Sequence, residues 1–130
     1  MRTSITELPV TVEADGYVLR ETTWCEMHVE IGTFYKEVDV TPLLKGLPDN
    51  MDPVPHWGYL LKGRFRVIYK DREEVVNAGD VFYLAPGRTM IFEAGTEYVV
   101  FGPEEEIKSL HQSWNVIMPP CSRDDNEVGL

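Results

Sequence analysis

Cysteine is nearly absent from this chain: Cys25 and Cys121 are the two in 130 residues, far apart and without a CxxC pair. That spacing points to neither a disulfide framework nor a cysteine zinc site. Clustered positive charge is missing too. Twelve Lys and Arg stand against 22 Asp and Glu, for a formal charge of −10, which argues against nucleic acid, whose phosphates need grouped cations. A small or cationic ligand suits the balance better. No apolar run approaches the ~20 residues that span a bilayer. The opening MRTSITELPV lacks the apolar core and small-residue cleavage site of a secretion signal, so a cytoplasmic location is expected. There is no phosphate-binding glycine loop, no Ser-His-Asp order with a nucleophile elbow, and no internal repeat.

What is present is a train of short β-type segments separated by glycine turns. At this length one domain is expected over 1–130, with a barrel core at 23–102 and a C-terminal helix and tail at 103–130. Residues 1–23 read as an arm with one or two strands, residues 17–20 foremost. Residues 27–40 read as strand around Gly32. Thr41 as cap, Pro42 in the first turn and Gly46 at the end predict a short helix near 42–46. Three prolines make 48–55 a loop. Strands follow at 57–61, 64–70, 74–76, 81–84, 89–93 and 96–101, a spacing that predicts a sandwich or barrel of six to eight strands. Pro103 with Glu104, Glu105 and Glu106 suits a helix start, since acidic groups complement the helix dipole there.

Alternation assigns faces. Phe65, Val67 and Tyr69 share one side of their strand, and Arg64, Arg66 and Lys70 the other. In the preceding strand Trp57, Tyr59 and Leu61 lie opposite His56, Gly58 and Leu60. If the latter set points inward, the outward aromatics need cover, from the N-terminal arm or, more simply, from a second subunit in a homodimer.

Two glycine-centred signatures sit a hairpin apart. Gly79 opens the second, followed by Ala85-Pro86-Gly87 and Met90; Gly63 closes the first, preceded by His56, Asp52 and Asn50. This layout resembles the paired motifs of small single-domain cupins, and the resemblance implies an all-β, cupin-like antiparallel β-barrel (jelly roll) with a mouth that usually holds a divalent metal. The residues depart from the motif. Met90 stands where the second motif has its histidine, His56 where the first has its glutamate, and Asp52 and Asn50 where it has two histidines. By that correspondence His56, Gly58 and Leu60 point into the barrel.

Transition metals want three or four ligands, and the motif positions supply two candidates, Asp52 and His56. His28, with Glu26 and Glu30 at alternate positions of a neighbouring strand, offers to complete a site or is a plain alternating strand. Arg88, at the rim, is suited to pair a ligand carboxylate or to salt-bridge to a surface acid; Met90 and Phe92 would make an apolar lining. The expected ligand pocket is therefore His56, Leu60, Arg88, Met90 and Phe92, with no nucleic acid or membrane partner. Cys25, beside Trp24, reads as a buried core thiol. Two functions fit: a small-molecule binding or sensor protein with a weak or absent metal site, or a small metal-dependent enzyme, an oxygenase or isomerase, using His56 and Asp52 with zinc, iron, nickel or manganese. Ligand count favours the first, and the sequence leaves open whether any reaction is catalysed.

Overall fold

The computed structural model describes residues 1–104. Pro103, expected to open a helix, instead ends the last described strand; the rest of that helix, to about 114, the tail and Cys121 lie outside the described residues. Ten strands occur among the described residues: β1 (Val10–Ala14), β2 (Tyr17–Trp24), β3 (Met27–Phe34), β4 (Val38–Asp39), β5 (His56–Lys62), β6 (Arg64–Tyr69), β7 (Glu73–Asn77), β8 (Val81–Leu84), β9 (Arg88–Phe92) and β10 (Glu97–Pro103). They form two antiparallel sheets, ordered β1-β2-β3-β10-β5-β8 and β4-β9-β6-β7. The predicted helix near 42–46 is a single 3-10 turn at Thr41–Leu44.

The count exceeds six to eight because β1 and β2 join the larger sheet instead of forming an arm. Residues 17–20 mark the first half of β2 in the sequence; its second half hides for a physical reason. Its buried face carries Glu21 and Thr23, so it lacks the apolar stripe by which a half-buried strand is recognised. Elsewhere alternation holds. Phe65 and Val67 are fully buried and Tyr69 nearly so, while Trp57, Tyr59 and Leu61 are 49%, 41% and 39% exposed on the outer face.

The interior is graded from one end to the other. At one end Phe34, Phe65, Phe92 and the Tyr98 ring stack together, Phe34 on Phe92 at 4.1 Å between centroids. Burying each such side chain contributes roughly 1.5–3 kcal/mol, so this end closes the barrel. The turn beneath it, from β5 to β6, requires glycine. Gly63 has φ 80°, and a Cβ there would meet Thr96 Cα at 2.5 Å. The opposite end is polar, and it holds the chemistry.

Cys25 departs from its expectation. It sits half-buried with φ 56° in the two-residue turn between β2 and β3, and it is disulfide-bonded. The turn places its sulfur at the end of the sheet and outside the packed core.

Candidate metal centre and its neighbourhood

The β2–β3 hairpin pairs Glu21 with Glu30 and Thr23 with His28. Directly opposed residues share a face, and here that face is the barrel interior, because the next strand pairs Glu30 with Val100 and His28 with Gly102. The result is a compact donor set. His28 Nε2 lies 2.9 Å from Glu21 Oε2 and 3.4 Å from Glu30 Oε1, and one ligand atom of each residue falls within 4.8 Å of the others. The Tyr98 hydroxyl donates to Glu30 Oε2 and the Thr11 hydroxyl to Glu21 Oε1. His28 is completely buried, and the two carboxylates nearly so.

Burial and pairing pull these groups in opposite directions. Desolvation alone would depress the His28 pKa, but hydrogen bonds to Glu21 and Glu30, and their charge, push it up to about 9. Burial pushes Glu30 upward, but the hydrogen bonds from His28 and Tyr98, together with the nearby histidine charge, hold it below the ordinary carboxylate value. Tyr98 is driven well above its usual value by burial and by the Glu30 charge. At neutral pH His28 is thus an imidazolium, held between the Glu21 and Glu30 side chains inside the barrel.

Beside it stands a second constellation built from the motif loop. Asp52 forms an isolated bridge with Arg88, its N–H donating to Arg88 O at 2.8 Å. The guanidinium of Arg88, 1% exposed, donates through Nη1 to the carbonyls of Val54 and of Ala85 (3.1 Å). Through Nη2 it reaches Asp52 Oδ2 at 3.4 Å and His56 Nδ1 at 3.0 Å. Asp52 Oδ1 accepts the Val54 N–H at 2.9 Å. Burial lowers the His56 pKa and the Arg88 charge adds to that, against the opposing pull of Glu30. Burial likewise lowers that of Arg88, with Asp52 resisting.

The expected pocket residues thus divide. Asp52, His56 and Arg88 converge, with the arginine between the two metal-ligand candidates, so those two share a guanidinium where a shared ion was expected. Leu60, Met90 and Phe92 belong to the apolar core. Asn50 is exposed, and its side chain accepts the Gly46 N–H at 3.1 Å. Of the neighbouring-strand candidates, His28 and Glu30 face inward, but Glu26 is an exposed turn residue and Glu21 takes its place. Glu21 and Tyr98 were not anticipated. The signal for Glu21 is a two-residue hairpin at Cys25–Glu26, which brings 21 opposite 30, but that dipeptide has none of the Asn-Gly or Asp-Gly character that marks such turns.

No protein-family description and no curated protein sequence matches the chain. Solved structures do. An RmlC-like cupin from Shewanella frigidimarina superposes with a TM-score of 0.57 at 15% identity, over 78% of this chain and 88% of that one. The polyketide cyclase RemF of Streptomyces resistomycificus gives 0.58 at 13% identity over 80% and 79%, and KdgF from a Halomonas species 0.51 at 13% over 73% and 86%. At such identities the likeness speaks for the fold, and it agrees with the two-sheet barrel and the glycine-turn motifs: the chain is a small cupin-fold protein.

Proposed function

We propose that this protein binds a small molecule in its barrel with the help of a divalent metal ion held by Glu21, His28 and Glu30. The observation that carries this reading is the donor set: two carboxylates and an imidazole within 4.8 Å of one another, inside the barrel. Its chemistry suits an ion. One nitrogen and carboxylate oxygens match the preferences of zinc, iron, nickel and manganese. Exchange of the His28 proton for a divalent cation would bring one further positive charge to the two glutamates. Three protein ligands leave coordination positions open, which is the pattern of reactive rather than structural sites. When bound, such an ion supplies Lewis-acid polarisation of a ligand oxygen. The chain itself supplies the hydroxyl of Tyr98, which orients Glu30, and the Arg88–His56 array alongside. Among the described residues no helix is long and apolar enough to cross a membrane.

Elemental analysis after dialysis tests the reading. Near-stoichiometric metal is expected in the wild type, with loss in H28Q and E30Q and retention in H56A. One observation favours a second reading, a metal-free binding or sensor protein: the imidazolium of His28 bridges both carboxylates, which completes the group without an ion. Metal-free wild type, after purification with each candidate ion supplied, would select that alternative.

A further inference from the structure

We propose that His56 serves as a neutral hydrogen-bond donor, its proton held on Nε2 by Arg88, that recognises a carbonyl or carboxylate oxygen of a small molecule in the barrel. The position of that molecule, beside Glu21, His28 and Glu30, rests on the metal-centre reading; the state of the imidazole does not.

The argument begins with a one-way partner. A guanidinium has donors and no acceptor, so Arg88 Nη2, 3.0 Å from His56 Nδ1, makes Nδ1 the acceptor. A neutral imidazole with an accepting Nδ1 carries its proton on Nε2. The competing tautomer would donate from Nδ1 to the Val54 carbonyl 3.3 Å away, but its proton would then face the Arg88 Nη2 donor. An imidazolium would set two donors, and two positive charges, against each other. Asp52 anchors the guanidinium that enforces this choice.

The other edge of the ring is free to act. Nε2 makes no hydrogen bond among the described residues. Its place in the sheet faces the carboxylate–imidazole group. Gly102 pairs with His28, and on its other side Phe101 pairs with Trp57, so His56 and His28 flank the same glycine from two strands apart. Two strand spacings set the two backbones about 10 Å apart, with no side chain on the glycine between them, and there a small molecule would meet the metal group and offer an oxygen to His56. The charged groups around the ring are Arg88, Asp52, Glu30 and His28.

Nitrogen-15 NMR of histidine-labelled wild type reads the tautomer directly, without a variant that might fail to fold. A protonated Nε2 and an unprotonated Nδ1 in His56 at neutral pH are expected; the reverse pattern, or an imidazolium, would overturn the proposal whatever the metal content. Recognition is read with pyruvate, which carries both kinds of oxygen, by calorimetry on zinc-supplied protein. Loss of one hydrogen bond in H56L should weaken pyruvate binding about tenfold, while H56Q, which keeps an N–H at that place, should stay close to wild type. Zinc content should be unchanged in both. Equal pyruvate affinity in H56L and wild type, or no binding at millimolar pyruvate, would refute the recognition role. Wild type that takes up no zinc yet shows the Nε2–H tautomer would sink the metal centre and leave the donor assignment standing.

Discussion

A methyl group at Gly32 would sit 2.5 Å from Tyr98 Cζ and 2.7 Å from its hydroxyl oxygen. The bare backbone of β3 is therefore the bed on which the Tyr98 ring lies, and it lets the hydroxyl reach Glu30. G32A should cost about 1–3 kcal/mol, as overpacking does, seen as a lower urea midpoint, and should separate Tyr98 from Glu30 in a crystal structure. A midpoint equal to wild type would show that the ring has other room. His28 gives a pH signature at the same scale. Its folded pKa, about 9, exceeds the ordinary 6.5, so its stabilising contribution is fully present below 6.5 and fades as pH rises through about 9. The melting temperature of chelator-treated protein should fall across that window, and H28Q should lack the fall. A wild-type melting temperature that holds level there would contradict the ion pairing.

At the scale of elements, Arg88 fastens the loop carrying Asp52, Val54 and His56 onto the turn between β8 and β9, through Val54 O, Ala85 O and Asp52. Truncating one partner of a buried pair leaves the other charge stranded, typically at about 3–5 kcal/mol. R88M should lose that much in chemical denaturation. D52N/R88M should be milder than R88M alone, since no carboxylate is then left without its cation. A double variant as unstable as the sum of the two single ones would show that the ion pair contributes nothing beyond the separate hydrogen bonds.

At the scale of the molecule, the outer face of the larger sheet exposes an apolar patch on β5 and β8 among the described residues. Trp57 and Tyr83 stack at 5.3 Å between centroids, Tyr59 pairs with Val81, and Val81 is 82% exposed. These residues reach β8, an edge strand among the described residues, whose VFYL sequence has none of the lysines or prolines that protect edges. We propose a homodimer across this face and edge, the second copy being the partner whose own bare edge matches. Light scattering should report twice the chain mass at micromolar concentration, and V81K/Y83K should return it to one. A monomeric wild type would refute it.

Much of the barrel was legible because alternation and glycine turns are local properties. Residues 64–70 announce their two faces in any context, and a glycine is needed wherever the backbone turns back with φ near 80°, as at Gly63. The convergence of Asp52, His56 and Arg88 was likewise readable, from motif spacing. What those residues do was not, because a guanidinium between two metal-ligand candidates is a fact of three-dimensional placement. Glu21 shows the limit most clearly. It looks like a surface charge on a polar strand, and only hairpin register, set by a turn without a turn signature, brings it opposite Glu30 and within reach of His28. A strand pattern encodes which residues share a face, but which strand lies beside which, and so which donors meet inside the barrel, depends on long-range pairing that tertiary packing alone decides.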